Sequence, residues 1–294
     1  MPAVLATSPG ARLKAAADGS TIAIPGAFNA LVARMIEAAG FPAMYLSGAA
    51  FSAGALALPD IGLFTLSELA QQTAWLTRGA DIPLIVDADT GFGEAVNVER
   101  TVIELEAAGA AAIQLEDQRL PKRCGHLSGK SLVETAEMCA KIRAAVAARR
   151  DPDLVILART DARGVHDLDE ALERAKRYLD AGADWIFPEA LASREEFEKF
   201  AVEIEAPLVA NMTEFGKSPL LSLDDLADLG YAGVLYPVTL LRVAMKGVEA
   251  ALATLAADGT QHDLLDLMQT RQELYDLLGY SSYEARDKIH FEGK

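Results

Sequence analysis

The stretch EAAGAAAIQLED, residues 106–117, decides the fold. A helical end closes in Gly109, a short apolar run follows, and the run stops at Glu116 and Asp117. Glycine is favoured just past a helix C-terminus, and a few apolar residues bounded by such punctuation suit a strand buried on both faces. The pattern returns as EAAG then FPAMYLS (37–47), DAGADWIFPE (180–189) and DLGYAGVLYP (228–237). The repeating unit is a helix followed by a parallel strand. Strands are expected near 21–25, 43–47, 83–88, 111–116, 154–160, 185–188, 207–211 and 233–236, which together make a (β/α)8 TIM-type barrel. The windows 99–109, 134–149 and 168–182 carry apolar residues at i, i+3, i+4 and i+7 and supply its outer helices. Two further helices are expected over 238–258 and 262–278, joined by AADGTQ. Residues 1–294 therefore read as a single barrel domain with a C-terminal helical segment at about 238–290.

At 51% hydrophobic content, 294 residues can fill one large core. A formal charge of -16 repels phosphate backbones and anionic lipid surfaces, so nucleic acid and membranes are poor partners and a small ligand is favoured. Two cysteines, Cys124 and Cys139, make no disulfide framework, and MPAVLATSPGARLK lacks the charged and apolar regions of a secretion signal. The expected setting is the reducing cytoplasm. The longest apolar stretch, AAFSAGALALP, falls short of a membrane span.

In such barrels the chemistry sits at the C-terminal ends of the strands. Here those ends carry Tyr45 and Ser47, Asp87 and Asp89, Glu116, Arg159 and Asp161, Glu189, then Asn211 and Thr213. So many functional groups on one face point to a shared site. In VDADTGFG the carboxylates of Asp87 and Asp89 stand at i and i+2, which on a strand point the same way. With Glu116 they make a hard, all-oxygen set suited to Mg²⁺ or Mn²⁺ and unsuited to zinc. The competing reading is that one of the aspartates caps a helix or turn. Of the four histidines only His126 is placed near the site; Cys139 reads as a packed core side chain. GFGEA lacks the fingerprint of a nucleotide loop. Arg159, Arg242, Arg271 and Lys122 are candidate carboxylate clamps.

PKRCGHLSGKSLV, residues 121–133, sets Cys124 between a Lys-Arg pair and a Gly-His pair. It reads either as a basic surface loop or as a reactive thiol. In the second case Lys122 and Arg123 lower the thiol pKa and Gly125 lets the backbone approach a ligand.

VDADTGFG, QLEDQRLPKRCGH, LARTDAR, FPEA, NMTEFGKSPL and MQTRQELYDLLGY resemble the isocitrate lyase and phosphoenolpyruvate mutase superfamily, in its branch that cleaves 2-methylisocitrate to pyruvate and succinate during propionate catabolism. The likeness runs from about residue 20 to 285, and KRCGH is its most discriminating piece. It implies a Mg²⁺-dependent carbon–carbon lyase acting on a tricarboxylate, in a homotetramer whose C-terminal helices are exchanged between neighbours. By the same resemblance Asp87 and Asp89 hold the metal, Cys124 and Gly125 form the catalytic loop, and Ser47, Gly48 and Ala49 bind substrate. Many members have a second glycine where this chain has Ala49. Arg159, Glu189, Asn211, Met212, Thr213, Arg242 and Arg271 match substrate contacts, and Tyr45, Asp60, Glu116, Lys122 and His126 fall at active-site positions. Phe187, Leu235 and Pro237 match the wall beside the substrate's variable carbon. They are smaller and wholly apolar compared with the Trp, Phe and Thr of isocitrate lyases, which leaves room for a methyl group.

The chemistry implied is removal of the substrate's hydroxyl proton by Tyr45, its pKa lowered by Arg159, and protonation of the resulting carbanion by Cys124. A general acid must arrive protonated, so the trianionic substrate is expected to raise a thiol that Lys122 and Arg123 had lowered. The rival readings are a dimethylmalate-type or broad 2-hydroxydiacid lyase on the same scaffold, and a non-catalytic barrel stripped of its strand-end acids. Mutases lack the KRCGH thiol, and isocitrate lyases proper carry large insertions absent here.

Overall fold

Parallel strands run through the first four-fifths of the chain, in a computed structural model that describes residues 7–127 and 129–292. They are β1 (Ile22–Pro25), β2 (Met44–Leu46), β3 (Leu84–Asp87), β4 (Ala112–Glu116), β5 (Val155–Thr160), β6 (Trp185–Pro188), β7 (Val209–Asn211) and β8 (Gly233–Tyr236). Each lies where the sequence pattern places it. Two ladders form, β2-β3-β4-β5-β6 and β1-β8-β7. Single parallel bridges join them, Gly26 with Tyr45 and Ile186 with Leu208, so neighbours in sequence are neighbours around a closed barrel. The backbone completes these seams: Ala27 N–H donates to Tyr45 O at 2.8 Å, and Ile186 N–H donates to Pro207 O at 3.0 Å.

The helices are α1 (Pro9–Ala17), α2 (Ala30–Ala38), α3 (Gly48–Leu56), α4 (Leu66–Gly79), α5 (Ala95–Ala107), α6 (Thr135–Ala148), α7 (Ala162–Val165), α8 (Leu168–Asp180), α9 (Arg194–Glu203) and α10 (Leu223–Asp228). Period-two alternation sorts the strand residues. Ile24, Tyr45, Ile85, Leu157, Phe187 and Leu235 fill the barrel interior, whereas Leu46, Val86, Ile113, Ile156 and Val234 pack outward in the layer shared with the helices. Leu13 of α1 is fully buried in the interior cluster. A Cβ on Gly10 would stand 2.1 Å from Asp153 O, just before β5, so α1 closes the N-terminal floor. The opposite end is left for chemistry.

The chain divides after Leu241 into two compact units, the barrel being the first. The second holds most of α11 (Thr239–Asp258), a 3-10 turn (His262–Leu267), α12 (Arg271–Leu278) and α13 (Tyr280–Glu292). The single helix expected over 262–278 is therefore corrected. Met268 is extended (φ -92, ψ 142), and Thr270 starts a new helix through a capping box with Glu273. Gly279, at φ 66, ends that helix in the left-handed conformation, and α13, which the hydrophobic pattern did not reveal, follows. No helix among the described residues is long and apolar enough to cross a membrane.

Candidate active site

Alternation along the strands carries Tyr45, Asp87, Gln114, Glu116, Arg159, Glu189 and Asn211 to the C-terminal mouth of the barrel. The inward residues from neighbouring strands meet there. Asp87, Asp89 and Glu116 are buried, and one oxygen from each lies within 4.8 Å of the others. Asp87 is fixed on both sides: Gly48 N–H, in the first turn of α3, donates to Oδ2 at 3.0 Å, and Gln114 Nε2 donates to Oδ1 at 2.9 Å. Gln114 in turn accepts from the Tyr45 hydroxyl at 2.7 Å. A Cβ on Gly48 would sit 3.2 Å from Asp87 Oδ2 and 3.1 Å from Asp89 Oδ1, so a side chain there would press on both carboxylates. Strand alternation does not place Asp89 as the sequence suggested. β3 ends at Asp87, and Asp89 turns back into the cluster with φ 48.

Among the described residues, the buried Glu116 Oε1 of this cluster has no hydrogen-bond donor, and Asp89 Oδ1 has only the Lys122 ammonium at 2.8 Å, which it shares with Asp60. Burial, with Asp87 close by, pushes Asp89 up to about 7 even against Lys122. Burial likewise raises Glu116, opposed by Arg159 and Lys122. Concentrated hard carboxylates with open lone pairs fit a divalent cation of the Mg²⁺ type. Desolvation alone would lower Lys122, but Asp89, Glu116 and Asp60 outweigh it and raise the group, which stays an ammonium.

Arg159 forms the second centre. Its Nε and Nη2 reach the two oxygens of Asp161 at 3.0 and 3.1 Å, Nε lies 3.5 Å from Glu116, and Nη2 lies 3.7 Å from Glu189. The guanidinium stands 5.2 Å above the Phe187 ring. Burial would raise Glu189, yet Arg159 and His126 hold it down at about 2, and Asn211 adds a hydrogen bond at 3.2 Å. His126 spans two loops. Its Nδ1 accepts from Lys217 N–H at 2.8 Å, which leaves Nε2 as the protonated nitrogen, 3.2 Å from Glu189 Oε1.

The loop bearing Cys124 is tied at its base. Gln118 bridges to Leu132, and its side chain accepts from Arg123 N–H at 2.9 Å and donates to Arg123 O at 2.8 Å. A Cβ on Gly125 would lie 2.0 Å from Glu189 Oε1 and 2.5 Å from Arg159 Nη2, so any side chain there would push the loop off its seat. Lys122 is turned onto Asp60 and Asp89 and does not lower the thiol as the sequence suggested. Burial raises Cys124 instead, only partly offset by the His126 N–H. The thiol is thus held in its protonated form. Burial and then Asp87 raise the Tyr45 phenol well above its ordinary value and outweigh the lowering by Arg159 that the sequence suggested.

The structure gathers most of the expected residues and separates a few. Ser47 caps α3 through Ala50 N–H, while half-buried Ala49 packs on the small cluster of Ala50, Val238 and Leu241. Thr213 N–H donates to Asn211 Oδ1 at 3.1 Å. Met212 is corrected: alternation points it into the outer core, where Sδ accepts from Leu221 N–H, so only its backbone can face a ligand. Leu235 is completely buried in the barrel interior beside Phe187, and Pro237 is buried just beyond β8. Arg242 and Arg271 belong to the second unit. Three contributors escaped the sequence reading. Gln114 shares the inward phase of Glu116, two residues on; Lys130 and Asp117, described below, carry no sequence signal beyond their charge.

A family model described as phosphoenolpyruvate phosphomutase matches residues 12–256. The chain is 57% identical over 266 residues to a 2-methylisocitrate lyase of Aeropyrum pernix, covering 90% of this chain and 85% of that one. A crystal structure of 2,3-dimethylmalate lyase, described as a PEP mutase/isocitrate lyase superfamily member, superposes with a TM-score of 0.90 at 34% identity, covering 96% and 95% of the two chains. A phosphonopyruvate hydrolase solved with oxalate and Mg²⁺ superposes at 0.87 and 32% identity, covering 97% and 99%.

Gln114→Leu removes the donor that orients Asp87, and outer partners of this kind are worth roughly 10–100-fold in metal affinity. Calorimetric titration with Mn²⁺ should show that weakening in a variant that remains folded, and unchanged affinity would remove Gln114 from the site. A raised thiol pKa also means less thiolate than a free cysteine at every pH below it. The rate of Cys124 alkylation against pH should therefore reach its midpoint above that of free cysteine in the same buffer; a midpoint below it would show that the cations do activate the sulfur.

Proposed function

We propose, from the premise that the chain belongs to the phosphoenolpyruvate phosphomutase family, that it is a Mg²⁺-dependent carbon–carbon lyase cleaving 2-methylisocitrate to pyruvate and succinate. The observation that carries this reading is a buried three-carboxylate cluster joined through Lys122 to the loop whose thiol burial keeps protonated. The 57% identity to a protein named for this reaction favours it over a dimethylmalate-type or broad 2-hydroxydiacid lyase, whose structural relative shares 34%. Nor is the barrel stripped of its acids, as a non-catalytic one would be.

Asp87 and Asp89, with Glu116 beside them, would hold the cation, which stabilises negative charge on the substrate hydroxyl oxygen and the adjacent carboxylate as the bond breaks. The hydroxyl proton passes to Tyr45, which is bonded to Gln114 and whose phenol would fall once a cation offsets the Asp87 charge that raises it. The carbon–carbon bond then opens, its electron pair moving into the half that becomes succinate. Arg159 and Lys122 offset that charge, and Cys124 delivers its proton to the carbanion carbon. Positioned proton transfer of this kind contributes about 10²–10⁴ in rate. Ser47, Gly48, Ala49, Gly125, Asn211, Thr213, Arg242 and Arg271 are assigned to the substrate carboxylates, and His126 and Glu189 to the wall that orients them. Phe187, Leu235 and Pro237 form the apolar side that admits the methyl group. Mn²⁺ substitutes for Mg²⁺ because both prefer the same oxygen ligands.

A cytoplasmic homotetramer completes the reading. Val243, Leu252, Leu267 and Phe291, all in the second unit, are more than half exposed, and apolar surface of this extent suits a second copy of the chain.

A substrate panel with Mg²⁺, following release of pyruvate or glyoxylate, tests the function. 2-Methylisocitrate should exceed isocitrate in kcat/KM by roughly 10–200-fold, the worth of one methyl in an apolar pocket. Isocitrate as the better substrate would refute the assignment. Cys124→Ser should lower turnover by at least about 10²-fold with the fold intact, while Cys139→Ser, in the core beside Arg177 O, stays near the parent.

A further inference from the structure

Lys130 is buried although it lies in the loop that carries Cys124. Its ammonium bonds to the carbonyl of Gly125, the residue after the thiol, and to Asp161 Oδ1 at 2.6 Å. Both side chains of the ion pair are essentially inaccessible. Asp161 is itself rigidly seated, with its N–H donating to Asp117 Oδ1 at 2.9 Å. The buried Asp117 also accepts from Thr160 and from Tyr178, each at 2.8 Å, and lies 3.4 Å from Arg174. One charged side chain therefore ties the thiol loop to the same carboxylate that grips Arg159 in a bidentate pair.

We propose that Lys130 is a positioning residue, a latch that holds the loop of Cys124 and Gly125 closed on the barrel mouth through Asp161. A buried ion pair has strong directional consequences, because loss of one partner leaves the other charge uncompensated. The loop also rests on its base contacts at Gln118 and Arg119, on Lys122 through Asp60 and Asp89, and on His126, and none of these contacts holds the Gly125 carbonyl. With the latch made, Gly125 stays within its narrow clearance of Glu189 and Arg159, and the thiol stays half-buried and protonated. With it broken, the loop opens locally while the barrel remains folded. Asp161 then loses a cation and binds Arg159 alone.

The inference deepens the lyase reading, and its first test does not depend on that reading. In a Cys139→Ser background, where Cys124 is the only thiol, iodoacetamide alkylation reports loop opening directly. Lys130→Met should be alkylated at least about tenfold faster than the parent with an unchanged melting temperature. Lys130→Gln keeps a donor for the Gly125 carbonyl but no charge for Asp161; it should fall between the two, and it decides the matter if the methionine variant does not fold. Parent-like alkylation in either folded variant overturns the latch. If 2-methylisocitrate is the substrate, kcat should fall at least about tenfold with a smaller change in KM, since the proton donor is displaced more than the binding groups. A rise in KM with kcat intact would make Lys130 a binding residue and overturn the proposal.

Discussion

One guanidinium is shared among three buried carboxylates at the mouth of the barrel, and the rest of the site depends on it. Arg159 leaves β5 between Glu116 of β4 and Glu189 at the end of β6, and takes Asp161 on its own strand's extension as a bidentate partner. Charges taken this far from water are tolerable only when each has a partner, and Arg159 is the one partner that all three hold in common. Lysine could not replace it. A single ammonium cannot offer a planar fork to Asp161 while also facing two other acids and the Phe187 ring.

Each carboxylate leads to a different part of the machinery. Glu116 opens onto the metal cluster, where Asp87 is held by Gly48 and Gln114. Glu189 faces His126 and the bare backbone of Gly125. Asp161 receives Lys130. Carboxylate cluster, thiol loop and Lys130 are thus linked through one cation, and acids outnumber the nearby cations. That imbalance is itself a reason for the site to take up a divalent ion before an anionic ligand.

The barrel was legible because a strand buried on both faces must be short, apolar and punctuated, and because a glycine marks the helix end before several of them. The converging strand ends were legible for the same reason: the final inward residue has nowhere to point but the mouth. Legibility stopped where a residue leaves the regular period or acts through another. Asp89 reaches its cluster through a left-handed turn, and Met212 falls on the outward phase of a run whose inward member is Asn211. Gln114 shares the inward phase of Glu116, but an uncharged amide gave no reason to single it out. The charge state of Cys124 could not be read from Lys122 and Arg123, because sequence neighbours on an extended loop face different partners. The break between the 3-10 turn and α12 was written in Thr270 and Glu273, but the apolar pattern runs straight over it.

Keeping the sulfur of Cys124 protonated has a consequence outside turnover. Peroxides and other oxidants attack the thiolate, and the first product, a sulfenic acid, leads on to sulfinic and sulfonic acids that the cell restores rarely or never. Burial that raises this thiol slows the first step of that ladder. In the proposed role of an acid, unlike that of a nucleophile, Cys124 would do its work while remaining chemically quiet, with no trade of catalytic competence for durability under oxidative stress.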